Sequence, residues 1–114
     1  MTVEEFNKGV EDELHRIEKV LVKKQQEYNL DVDRLSVFKT GAAMSGDSPE
    51  KVLYGFLLKH LISLRDMIIA TDRGEKFSED LWHEKLTDIH NYLILLIELL
   101  KDDNRFKNEE KEDK

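Results

Sequence analysis

Glu84 and Asp88 stand four residues apart in a stretch of helical periodicity, with Asn91 one turn further on. Their carboxylates therefore point the same way. Like charges at this spacing cost an isolated helix about 0.2–0.5 kcal/mol, and a divalent cation between them reverses the sign. Mg²⁺ is commonly held by one or two carboxylates, with phosphates and water completing its shell. The pair thus has the make-up of a Mg²⁺–phosphate site, although a solvated helix face has the same spacing. A second helical stretch offers partners, because Lys59, Ser63 and Asp66 share one stripe. Lys59 can meet a phosphate as a point charge, and Asp66 can supply a third carboxylate. The bland alternative is a salt bridge between helices, such as Lys59 with Asp88. His60 falls on the apolar stripe beside them, as a core histidine or a ligand-binding one.

A third cluster surrounds the first loop, where Glu27, Asp31, Asp33 and Arg34 lie within eight residues. Glu27 and Asp31 could complete a metal cage while Arg34 meets a phosphate. Alternatively, Asp31 and Asp33 only turn the chain. The glycine and terminal glutamate of an EF-hand loop are missing at their spacings. His83 and His90 are seven apart and can share a face, but no further His or Cys stands at zinc-ligand spacing. The sequence holds no GxxxxGK[ST], GxGxxG or GxSxG, so P-loop, Rossmann and α/β-hydrolase chemistries have no support.

The elements that must position these residues read as helices. The chain has 114 residues, 38 % of them charged, against about 25 % in an average domain. It has no cysteine, one proline and five glycines, which excludes a disulfide framework and disfavours a turn-rich β-sandwich. Its net charge of −7 disfavours sequence-independent binding to nucleic acid, which depends on neutralising phosphates. Thr2 with Glu5 is a capping signature. Behind it, Val10, Leu14, Ile17, Leu21 and Tyr28 form one stripe, predicting a helix over 3–28. Leu35, Phe38 and Ala42 suggest a short helix over 34–44. Gly46 ends it, and Ser48-Pro49 caps and starts the next, over 49–70, with Leu53, Leu57, His60, Leu61, Leu64 and Ile68 as its stripe. Ser78 caps a fourth helix over 79–102, with Phe77 and Trp82 as a hydrophobic staple. The expectation is an all-α, four-helix bundle-like domain over 1–102, followed by a charged, disordered tail over 103–114. The most apolar stretch, Tyr92 to Leu100, is nine residues, against about 20 for a membrane span. With no secretory pattern at Met1–Glu5, the chain is expected to be soluble and cytoplasmic.

The fourth helix has two faces that want burial. Trp82, Leu86, Ile89, Leu93, Leu96, Ile97 and Leu100 share one broad face, while Tyr92, Ile94, Leu95 and Leu99 wrap the other side of its second half. A helix apolar all round is usually buried all round. In so small a chain the second partner is expected to be another subunit, giving a homo-oligomer, most simply a dimer. The competing reading is a monomer whose first or second helix covers that side.

The runs Glu27-Tyr28, Asp33 to Lys39, Lys59-His60 with Asp66-Met67-Ile68, and Glu84 to Leu93 carry a resemblance. In the order EY, DRxxxF, KHxxSxxDMI and EKxxDxxNYLxLL, they resemble a group of small phage and prophage proteins over roughly residues 24–100. That group is distantly similar to all-α nucleoside triphosphate pyrophosphohydrolases of the MazG and dimeric dUTPase type. The resemblance implies an oligomeric helical bundle that uses Mg²⁺ to cleave a nucleotide between its α- and β-phosphates. It carries over metal binding and catalysis to Glu84 and Asp88. Read as an enzyme, the chain would add Asp66 or Glu27 to the metal and use Lys59, Arg34, Asn91 and His60 for the phosphorylated ligand. Glu84 and Asp88 match an E-E-x-x-D half-motif in which Lys85 replaces the second glutamate, and the E-x-x-E half has no counterpart before the first loop. Two readings stay open: a Mg²⁺-dependent nucleotide hydrolase, and a non-enzymatic phage protein that sequesters a nucleotide or binds and inhibits a host protein.

Overall fold

The computed structural model describes residues 1–27 and 35–108, side chains of residues 23–27 excepted. Four helices follow in order: α1 (Val3–Glu27), α2 (Ser36–Ser45), α3 (Pro49–Asp72) and α4 (Glu79–Asp102). The described residues contain no strand. None of these helices is long and apolar enough to cross a membrane. The expected bounds of all four helices agree to within two residues among the described positions. Tyr28–Arg34 lie outside the described residues, as do Glu109–Lys114 of the expected tail.

The helix ends follow from the punctuation in the sequence. The Thr2 hydroxyl accepts the Glu5 N–H at 3.0 Å. Ser48 and Ser78 accept the N–H groups of Lys51 and Leu81 at 3.2 and 3.1 Å, each satisfying a donor that the first turn leaves orphaned. Pro49 fills the first position of α3, where its missing N–H costs nothing. Phe77 and Trp82 meet edge to face, 5.9 Å between centroids, as the staple requires. Gly46 closes α2 in the left-handed region, and Gly74 (φ 94°) does the same after α3. Beyond α4, Asn104 takes that role at φ 54°, and the Arg105 N–H returns to the Leu100 carbonyl at 2.9 Å.

α3 and α4 form an antiparallel hairpin. Glu50 at the start of α3 meets Arg105 past the end of α4, and His60 lies against Tyr92 midway. α2 packs across the end where α3 begins and α4 finishes. There Leu35, Phe38, Leu53 and Leu99 form the core cluster, with Val52, Tyr92, Leu95 and Leu96 packed on it. Phe38 also meets Phe56 edge to face at 5.9 Å. Leu35, Phe38 and Ala42 are buried as expected. α1 packs on the other flank of α4 and, among the described residues, on no other helix. The bundle is therefore open on one side. Its radius of gyration is 17.6 Å, against about 13 Å for a compact domain of this length.

The stripes are used differently from the expectation. On α4 the core forms with Tyr92, Leu95, Leu96 and Leu99; of the expected core face Ile89 is buried and Leu96 packs on the cluster, while Leu93 and Ile97 are 49 % and 42 % exposed. On α3, Leu53 and Leu57 are buried as expected and Met67 is buried too, while Leu61 and Ile68 are exposed. Both helices are apolar on more than one side, and α2 decides which side is used by bringing Phe38 to the Leu53–Leu99 end.

The same end carries a charged cluster. Lys39 of α2 pairs with Asp102, and Arg105 Nε donates to Glu50 Oε1 at 3.0 Å. Glu50 Oε2 and Asp103 Oδ2 are closed to solvent and have no donor among the described residues. The two carboxyls act on each other. Burial raises the Asp103 pKa, Glu50 raises it further, and Arg105 and Lys39 offset only part of this. Burial also works against ionised Glu50, but a backbone N–H, Asp103 and Arg105 outweigh it, and its pKa falls below the ordinary 4.5. A proton held between the carboxyls therefore belongs to Asp103.

Leu99 is fully buried at the centre of this small core. Leu99→Ala should cost about 2–5 kcal/mol in urea unfolding, and so consume much of the stability of a domain this size. The carboxyl pair gives a pH signature. The contribution of Asp103 is complete below its ordinary 3.8 and lost as pH rises through its raised folded value, whereas that of Glu50 is present above 4.5 and lost as pH falls through its lowered one. Asp103→Asn removes the opposed charge and can donate to Glu50. Its urea midpoint should exceed that of the wild type at neutral pH, with the gain shrinking as acid protonates the wild-type Asp103.

Candidate functional site

The seam between α3 and α4 gathers part of the set expected from sequence. Tyr92 reaches the hairpin interior because residues 92, 95 and 99 repeat at helical spacing toward α3. Its ring lies 5.1 Å from that of His60, tilted by 42°. Burial raises the Tyr92 pKa and the nearby Asp88 charge raises it further, so the phenol stays protonated and able to donate. Asn91 is 7 % exposed, and its Oδ1 has no donor among the described residues. His60 Nδ1 is likewise enclosed and without a partner there. A buried polar group left unpaired costs about 1–3 kcal/mol, which water or a ligand can recover.

Around this centre the charged candidates are spread out. Asp88 is half-buried next to Tyr92, while Glu84 lies one turn away, exposed. Neither has an ion-pair partner among the described residues, so the pair is available to a cation. Lys59 and Asp66 are exposed on α3. Asp66 lies 3.4 Å from Arg65, and the expected Lys59–Asp88 bridge is absent among the described residues. Among the described residues, no three His, Asp or Glu side chains converge there closely enough to hold a metal ion. Glu84 and Asp88 therefore form no part of a closed metal cage among those residues. The Glu27 side chain and Arg34 lie outside the described residues.

A second polar centre, which the sequence reading missed, fastens α1 to α4. The Thr87 hydroxyl donates to both Glu13 oxygens at 3.0 and 3.3 Å, and His90 Nδ1 lies 2.7 Å from Glu13 Oε2. Arg16 Nη1 stands 3.6 Å from Glu13 Oε1. Thr87 is nearly inaccessible. The available signal was an acidic residue at the margin of the Val10–Leu14–Ile17 stripe, together with a threonine in the interior of an otherwise apolar helix. His83, paired by the sequence reading with His90, instead meets Glu79 one turn back at 3.2 Å.

Comparison with known protein families, curated proteins and solved structures finds no match for the chain.

Thr87→Val keeps the shape and removes the donor to the Glu13 carboxylate. It should cost about 1.5–3 kcal/mol in urea unfolding, the range for a hydrogen bond to a charged group, and Thr87→Ser should recover most of it.

Proposed function

We propose that the chain is a phage-type cytoplasmic homodimer that binds a nucleotide or related phosphorylated molecule at the α3–α4 seam, with Mg²⁺. The observation that carries this reading is Asn91, whose buried Oδ1 lacks a donor one turn beyond the Glu84–Asp88 pair. An amide oxygen in that position selects a ligand N–H or a bound water. The protonated Tyr92 phenol and the His60 ring meet each other on the seam. Glu84 and Asp88 would hold Mg²⁺, which supplies charge neutralisation for phosphate oxygens. Lys59 would add a cation from α3, while Arg34, the other cation expected from the sequence, lies outside the described residues. Hydrolysis of MazG type is the stronger form of the proposal, with Glu84 and Asp88 as its catalytic residues. Binding alone needs less of the acidic set, and the lack of a third carboxylate beside the pair among the described residues favours it.

The alternative, a non-enzymatic protein that binds and inhibits a host protein, draws on a different observation. α1 and α4 leave large apolar side chains in solvent, and contiguous exposed apolar surface marks interaction sites.

Thermal shifts with a panel of nucleotides and deoxynucleotides, with and without Mg²⁺, separate these readings. A ligand at a hundredfold its Kd stabilises the fold by about 2.7 kcal/mol, several degrees for a domain this size. One nucleotide class should raise Tm only with Mg²⁺ present, and Asp88→Asn should abolish the rise without lowering the unliganded Tm by more than a degree or two. Product analysis on that class then decides between hydrolysis and sequestration. A flat panel sinks the nucleotide reading.

A further inference from the structure

The apolar row of α1 is almost unused within the chain. Val3, Phe6, Val10 and Leu14 are all exposed, Phe6 and Leu14 by 60 % each. Their spacing of three, four and four keeps them on one side of the helix, in a row about 17 Å long at 1.5 Å per residue. Phe6, Val10 and Leu14 line a groove of about 520 Å³ together with His90 of α4. Gly9 lines it too, and a Cβ placed there would meet nothing within 4 Å. Glycine weakens a helix interior relative to alanine. No described residue occupies the space it leaves, which suits the close approach of a second backbone.

The row has a charged border. Glu4 and Glu11, seven apart, each follow a residue of the row and flank it on one side, and Glu5 lines the groove. These three have no cationic partner among the described residues. The next carboxylates are taken, Asp12 by Lys8 at 3.5 Å and Glu13 by Arg16 and His90. Free carboxylates beside an open apolar row call for cations on whatever covers it.

We infer that this face of α1 docks a basic amphipathic helix of another protein, whose apolar row packs on Phe6, Val10 and Leu14 while its flanking Lys or Arg side chains meet Glu4, Glu5 and Glu11. The inference rests on the partner-binding alternative above, names the chemistry of that partner, and does not involve the α3–α4 seam. Helix-in-groove recognition uses anchors at this spacing. Charge selects among the occupants. A second copy docked through the same face brings the same three carboxylates to the contact, and like charges across an interface oppose it. The homodimer proposed above therefore needs another face. A membrane surface is disfavoured in the same way, because interfacial helices carry Lys and Arg and the cytoplasmic leaflet is anionic.

A fluorescein-labelled synthetic peptide of about 18 residues tests this by anisotropy, built of lysine with leucine at helical spacing. The same peptide with glutamine for lysine is its control. The lysine peptide should bind about tenfold more tightly than the glutamine peptide at about 50 mM salt, and lose most of that advantage at about 500 mM. Amide exchange over residues 3–14 should slow when it binds. Phe6→Ala should weaken the lysine peptide about tenfold with unchanged far-UV circular dichroism. The triple variant Glu4→Gln, Glu5→Gln, Glu11→Gln should bring the two peptides to equal affinity. If Phe6→Ala fails to fold, the triple variant carries the comparison, since it changes only exposed side chains. Equal binding of both peptides by the wild type overturns the charge matching, and absence of binding overturns the inference outright. Exchange slowed on α3 instead of α1 overturns this face and leaves partner binding standing. A wild-type dimer in light scattering that Phe6→Ala dissolves gives the face to a second copy and overturns the inference as well.

Discussion

Helix α4 has to satisfy two neighbours at once, and the rest of the fold is arranged around that demand. One flank gives Tyr92, Leu95 and Leu99 to α3 and the α2 end, and the other gives Thr87 and His90 to Glu13 of α1. The polar residues Thr87 and Asn91, four apart, are both buried in α4. Apolar side chains alone would let α1 and α3 slide along the helix. A carboxylate that needs one particular hydroxyl and one particular imidazole fixes α1 at a single height. Hydrogen bonds of this kind add little net stability but are costly to break, which is why they set register well.

The opposite end of the bundle uses charge for a similar purpose. Lys39 with Asp102 and Arg105 with Glu50 tie α2, α3 and the turn after α4 around the core cluster. Those pairs are partly exposed and contribute modestly one by one. Their joint effect is to hold the turn after Asp103 in place, so that the last turn of α4 does not fray away from Leu53.

Much of this was legible in the sequence, because local chemistry encodes it. Thr2, Ser48, Pro49, Gly46 and Ser78 mark helix ends through bonds made within a few residues, and they were readable without tertiary knowledge. The choice between faces was not. α3 and α4 each carry more apolar stripes than one neighbour can cover, and periodicity finds stripes without ranking them. The site was partly legible for the same reason. The spacing of Glu84, Asp88 and Asn91 placed them on one helix, but the contact of His60 with Tyr92 depends on the register of α3 against α4. The Glu13 centre was hidden more deeply, because its members are 74 and 77 residues apart and none forms a motif with its own neighbours.

That separation also orders assembly in time. The α3–α4 hairpin and the packing of α2 on α3 join neighbouring segments, so those contacts close short loops and form early. Fastening α1 to Thr87 and His90 closes a loop of more than seventy residues for a handful of contacts. Loop closure of this length forfeits chain entropy before any contact returns it. α1 is therefore the last element to dock and the first to open, a helix whose place in the monomer is held at one point along its length.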